Sequence, residues 1–124
     1  MGIRAVLSKP LAAFTVNQQK KWAAQPALSQ LKIFKHIIEK AKNTAFGKDH
    51  GFENIENYED FKKQVPIRDY EGLKPYVDKI LKGDNDVLWP GKPAYFAKTS
   101  GTTSGTKYIP ITKDSIPNHI NSAK

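Results

Sequence analysis

The run Thr99-Ser100-Gly101-Thr102-Thr103-Ser104-Gly105-Thr106-Lys107 gathers the residue types best suited to chemistry. A phosphate chain needs several hydrogen-bond donors converging on one place, with positive charge close by. Gly101 and Gly105 can take backbone angles that turn successive N–H groups to one side, and a concave run of amides binds anions. Ser100, Thr102, Thr103 and Ser104 add hydroxyl donors, and Lys107 at the exit supplies a point charge suited to phosphate. A slack Gly/Ser linker is the plain alternative. Against it, the run of small residues covers only Thr99 to Thr106 and lies between two strand-like segments. Its threonines at 102, 103 and 106 are also stiffer than a flexible linker requires.

The spacing excludes two common phosphate loops. A Walker loop places four residues between its glycines and a lysine directly after the second. Here three residues separate Gly101 from Gly105, Thr106 precedes Lys107, and Tyr108 follows it. The Rossmann pattern G-x-G-x-x-G is absent.

The elements that must hold this run are legible in outline. Residues 1–25 read as a loosely amphipathic helical lead-in with Trp22 as a core contact. Pro26 suits the first turn of a clear helix. Leu28, Leu31, Phe34, Ile38, Ala41 and Ala45 recur at helical steps, Ile37 widens the stripe, and Gly47 is the natural stop. His36 falls beside the stripe, at the surface. Asn57 is a candidate N-cap for a short helix ended by Pro66, with Tyr58, Phe61 and Val65 facing inward. Asp69 can cap the next, which Pro75 should kink or restart. Tyr76, Val77, Ile80 and Leu81 form its apolar face and Gly83 closes it. From Val87 onward the texture is β-branched and aromatic, so an extended segment, a turn and a strand at about 94–98 are expected. "KYIPIT" reads as a second strand with Pro110 at an edge. Thr112 or Asp114 would cap a last helix.

Bulk properties narrow the class. The chain has 124 residues, a single-domain length. It has no cysteine, which suits a reducing compartment and excludes thiolate metal sites and thiol catalysis. His36, His50 and His119 are too scattered for a metal-ligand spacing, so no metal site is assigned. Lys plus Arg outnumber Asp plus Glu by 20 to 12, a net +8 that favours an anionic partner. No apolar run approaches the ~20 residues of a membrane span. Lys9 and Pro10 interrupt the only short apolar stretch near the N-terminus, a poor secretory signal. Val6 stands where a myristoylation signal wants Ser or Thr. A cytoplasmic protein without a membrane partner is the expectation.

The form "TSGTTSGTK" resembles the phosphate loop of adenylate-forming enzymes, [ST]-[ST]-G-[ST]-[ST]-G-x-x-K, with Ser104 inserted before Gly105. That variant looks like the auxin-responsive (Gretchen Hagen) family of acyl-acid amido synthetases. "NTAFGKDHGF" at 43–52, the Tyr58-x-x-Phe61 helix ahead of "VPIRDYEGLKPYVDKI", and "KYIPIT" resemble that family's N-terminal region in the same order. The resemblance covers most of the chain, and its texture looks like bacterial members.

The resemblance implies an ATP- and Mg2+-dependent ligase. A carboxylic acid is activated as an acyl-adenylate, pyrophosphate leaves, and an amine or amino acid attacks to give an amide. Ser100, Gly101, Thr102, Thr103, Ser104 and Gly105 would contact the phosphates, with Lys107 beside them. Thr99 would end the strand and shape the loop. No catalytic residue is assigned beyond these. The parent would have an α/β adenylate-forming fold. Residues 1–124 would be the N-terminal part of its large domain, mostly helical with a small β-hairpin around 94–112. Family enzymes are several times longer, so this chain is expected not to catalyse adenylation alone, and its unpaired strand edges favour self-association. The rival reading is a non-catalytic basic nucleic-acid-binding module. Its basis is the net charge and the aromatics Trp22, Tyr76, Trp89, Tyr95 and Tyr108 near lysines. No nucleic-acid motif supports it, and nucleic acid is not an expected partner.

Overall fold

The computed structural model describes residues 3–101 and 105–122. Along these residues run α1 (Ile3–Ala24), α2 (Pro26–Ala41), α3 (Ala45–Asp49), a single 3-10 turn (Phe52–Asn54), α4 (Tyr58–Gln64) and α5 (Tyr70–Leu81). The strands β1 (Tyr95–Gly101) and β2 (Gly105–Ile111) and the helix α6 (Ile116–Ser122) follow. The expected mostly helical chain with a small hairpin is what is observed.

The core forms where the α2 stripe meets the 3-10 turn. Ile38, Ala41, Phe52 and Ile55 are buried together, with Phe34, Phe46, Phe61, Val65 and Trp89 packed on them. Phe61 lies edge-on to Phe34, ring centres 5.9 Å apart, a geometry that aromatic pairs favour. The cap residues act as local chemistry dictates. The Asn57 side chain accepts from the Asp60 N–H at 3.1 Å. The Asp69 carboxylate accepts from the Gly72 N–H at 3.0 Å. At the end of α5, Gly83 takes φ +103°, and the Gly83 and Asp84 N–H groups donate to the Ile80 and Lys79 carbonyls. Glycine satisfies the last carbonyls of a helix in this way because it bears no Cβ penalty at positive φ.

Four expectations are corrected. The α2 stripe does not run on to Gly47. The helix ends at Ala41, and Thr44, 1% exposed, starts a new one: its hydroxyl donates to the Ala41 carbonyl at 2.7 Å and accepts from the Gly47 N–H at 3.0 Å. Gly47 is therefore inside α3 and buried; a Cβ there would lie 2.1 Å from the Ala41 carbonyl oxygen. Of the two outcomes expected at Pro75, the restart does not occur, since α5 runs through it. Its missing N–H leaves only the carbonyl of Glu71, in the first turn, without a ladder partner. Trp22 is no core contact but 60% exposed, on a stripe with Leu11 and Phe14 that α2 covers only in part. Finally, the segment that opens at Val87 is not extended but part of a loop. Asp86 at φ +53° donates its N–H to the Gly91 carbonyl, and its carboxylate accepts from the Gly91 N–H, closing a loop.

That loop carries the hairpin's support. Val87 is 3% exposed, and the Asp86 and Val87 carbonyls accept the Ala45 and Phe46 N–H groups of α3. The chain leaves this buried point and enters β1.

Candidate anion-binding hairpin

β1 and β2 pair antiparallel from Tyr95↔Ile111 to Gly101↔Gly105. The strands reach further into the small-residue run than expected. Thr99 does not end β1; Ser100 and Gly101 continue it and pair with Thr106 and Gly105. Short hydroxyl side chains and glycine leave this end of the ladder without bulk, and Ser100 is exposed. Gly105 opens β2 at φ +78°, in the left-handed region that favours glycine, and a Cβ there would meet nothing within 4 Å. The positions assigned to Thr102, Thr103 and Ser104 lie outside the described residues.

Lys107 sits opposite Thr99, so the pleat puts its side chain on the same face as the Gly101–Gly105 pair. Its ammonium lies over the ring of Tyr70, 5.5 Å from the ring centre, within reach of a cation–π attraction. The described candidate residues Ser100, Gly101, Gly105 and Lys107 are thus gathered at one end of one hairpin.

Three contacts steady the hairpin, one of them to a helix, and the sequence reading identified none of them. Tyr70, first residue of α5, accepts the Tyr108 N–H at 2.9 Å and donates to the Tyr108 carbonyl at 3.4 Å. The Trp89 indole N–H donates to the Asp114 carboxylate at 3.1 Å. The Ala94 N–H donates to the Ile111 carbonyl at 2.8 Å, extending the ladder at its base. Between β2 and α6, the Thr112 hydroxyl accepts the Ser115 N–H, so Thr112 shapes the turn while Asp114 is spent on Trp89.

A second polar cluster lies beneath α5. Arg68 donates to His50 Nε2 at 2.8 Å, and His50 Nδ1 contacts the Phe46 carbonyl at 2.7 Å. Because a guanidinium only donates and a carbonyl only accepts, the ring carries its proton on Nδ1. Tyr76 donates to Asp49 at 2.8 Å. Burial, then that hydrogen bond, push the Tyr76 phenol above its ordinary value, and Arg68 opposes them. These interactions brace α3 against α5 and leave the hairpin untouched.

Among the described residues no group of three or more His, Cys, Asp or Glu is placed to hold a metal ion. None of the described helices is long and apolar enough to cross a membrane.

Comparison with known proteins bears on the same residues. A family model described as the GH3 family N-terminal domain matches residues 15–123. An indole-3-acetic acid-amido synthetase of Arabidopsis thaliana, GH3.3, is 29% identical over 86 residues, covering 68% of this chain and 14% of that protein. A jasmonoyl–L-amino acid synthetase of Oryza sativa subsp. japonica, GH3.5, is 26% identical over 99 residues, covering 78% and 17%. A 4-substituted benzoates-glutamate ligase of Arabidopsis thaliana, GH3.12, is 42% identical over 48 residues, covering 38% and 8%. These relatives are plant proteins, which lends no support to a bacterial affinity. The chain spans less than a fifth of the length of each. A match running from α1 through the hairpin to α6 decides the family: this chain belongs to the GH3 family.

Proposed function

We propose that this chain carries the ATP phosphate-binding hairpin of an acyl-acid amido synthetase, a ligase that activates a carboxylic acid and joins it to an amine or amino acid. The observation that carries the proposal is the meeting of Ser100, Gly101, Gly105 and Lys107 at one hairpin end in a chain of the GH3 family. The relatives named above are amido synthetases or amino acid ligases, which supports the reaction class. The residues suit a triphosphate. A positive-φ glycine with open space beside it permits close approach, hydroxyls and amides donate, and one ammonium stands at the same end of the hairpin. Thr102, Thr103 and Ser104 complete the donor set by sequence. Magnesium would arrive with the phosphates. ATP, when bound, would supply the adenylyl group that activates the acid, with pyrophosphate as the leaving group. The hairpin's own work is to hold the β- and γ-phosphates and offset charge as pyrophosphate departs, an electrostatic contribution.

In this reading residues 1–124 are the N-terminal part of the large domain of an α/β adenylate-forming fold, in a cytoplasmic enzyme, and do not catalyse adenylation alone. The unpaired outer edge of β1 favours self-association of the chain. Changing Thr102 and Thr103 together to valine removes two donors at nearly constant shape. Nucleotide binding by calorimetry should be lost; unchanged binding would remove the loop from the site. Acid-dependent ATP–pyrophosphate exchange by the purified chain would overturn its inactivity.

A further inference from the structure

We infer that Tyr70 is the positioning residue of the anion-binding hairpin, acting twice through one side chain: its hydroxyl locks the backbone of β2 at Tyr108, and its ring face carries the Lys107 ammonium.

The geometry is specific. Tyr108 pairs with Lys98 across the hairpin, yet both its N–H and its carbonyl meet the Tyr70 hydroxyl, at 2.9 and 3.4 Å. In an antiparallel ladder a residue turns both backbone groups either toward its partner strand or away from it. Those of Tyr108 therefore turn to the outer edge of β2, and one phenol oxygen stands there where a third strand would pair. The next residue toward the loop, Lys107, is the one whose ammonium lies 5.5 Å from the same ring's centre. Tyr70 is itself fixed. It is the first residue of α5, directly after the Asp69 cap, and half-buried. The core helix thus reaches the phosphate end of the hairpin through a side chain 38 residues away in sequence.

Two consequences separate the roles. Tyr70→Phe keeps the ring under Lys107 and removes the hydroxyl, freeing the β2 edge. Tyr70→Leu removes both. The assignment rests on the phosphate-binding reading, so the test must tell the two apart. Binding of MgATP to the full 124-residue chain is measured by calorimetry, and exchange of the Tyr108 amide by NMR. Asn57→Ala, a loss of a distant cap, controls for lowered stability. Tyr70→Phe should weaken MgATP binding about three- to tenfold, the range of one hydrogen bond, and speed Tyr108 exchange. Tyr70→Leu should weaken it further, and in that background Lys107→Ala should cost less than in the wild type. Asn57→Ala should leave affinity within about twofold, because a distant site with no shared partners does not couple. If the wild type binds MgATP and Tyr70→Phe binds it equally well, or if Asn57→Ala weakens binding as much, the assignment to Tyr70 fails while the phosphate reading stands. If the wild type binds no MgATP, both fail.

Discussion

At the scale of single residues, two positions make claims that can be measured. Gly47 is the sharpest. Its backbone passes so close to Ala41 that a Cβ would lie 2.1 Å from a carbonyl oxygen, against backbone rather than a flexible side chain. Gly47→Ala should therefore destabilise by about 1–3 kcal/mol, the range for overpacking, read as a fall in urea midpoint at unchanged slope. Tyr76 gives a pH claim. Burial and the Asp49 hydrogen bond raise its pKa on folding, so the folded chain holds that proton longer than the unfolded one. The stability contributed is complete below the unfolded value, about 10, and is lost as pH climbs through the folded value. Lys62 and Lys74, raised mainly by hydrogen bonds to Glu59 and Asp78, push the same way. They are solvated, so their share is small. Urea midpoints between pH 9 and 11 should fall more steeply for the wild type than for Tyr76→Phe; parallel curves would show that Tyr76 is not the group responsible.

At the scale of elements, what was legible depended on the range of the interaction. Asn57 and Asp69 were identified as caps because a cap bonds three residues ahead. Removing the Asp69 side chain as Asp69→Ala should cost about 1 kcal/mol and lower the helical signal in circular dichroism. The end of α2 was misread because Ala41 and Ala45 keep the helical step across the break. The sign of the break was Thr44, a good N-cap three residues before Gly47, and apolar spacing carries no trace of it. Pro75 was overread. Its cost is confined to one carbonyl near the start of α5, and packing of Val77 and Ile80 holds the helix through it. Pro75→Ala should raise the melting temperature by restoring the Glu71 bond. An unchanged or lower value would mean that the proline's restriction of the unfolded chain outweighs that bond.

At the scale of the whole molecule, the hairpin was visible as two strand-like segments around a small-residue run. Its mounting was not. Tyr70 with Tyr108, and Trp89 with Asp114, join residues 38 and 25 positions apart, and no local pattern encodes such pairs. The same mounting shapes the expectation of self-association. The outer edge of β2 is occupied at Tyr108 by Tyr70, which leaves the outer edge of β1 as the place for another copy to add. Charge on the N-terminal helices opposes close approach of two copies. The residues up to Ile38 include six Lys and Arg and no acidic residue, while the rest of the chain holds fourteen against twelve. Screening shortens that repulsion to about 10 Å at 0.1 M salt. Light scattering at rising protein concentration should show a mass above the monomer, more so at high salt; a clean monomer at high concentration would contradict pairing through β1.

The central claim is that the end of this hairpin grips a nucleotide's phosphates. Titrating the isotopically labelled chain with MgATP at millimolar concentration, and following backbone amide shifts, tests it residue by residue. The amides of Ser100, Gly101, Gly105 and Lys107 should move together along one saturable curve, reproduced by tripolyphosphate and not by adenosine. Shifts scattered over the basic α1–α2 surface, or none in residues 100–107, would contradict it.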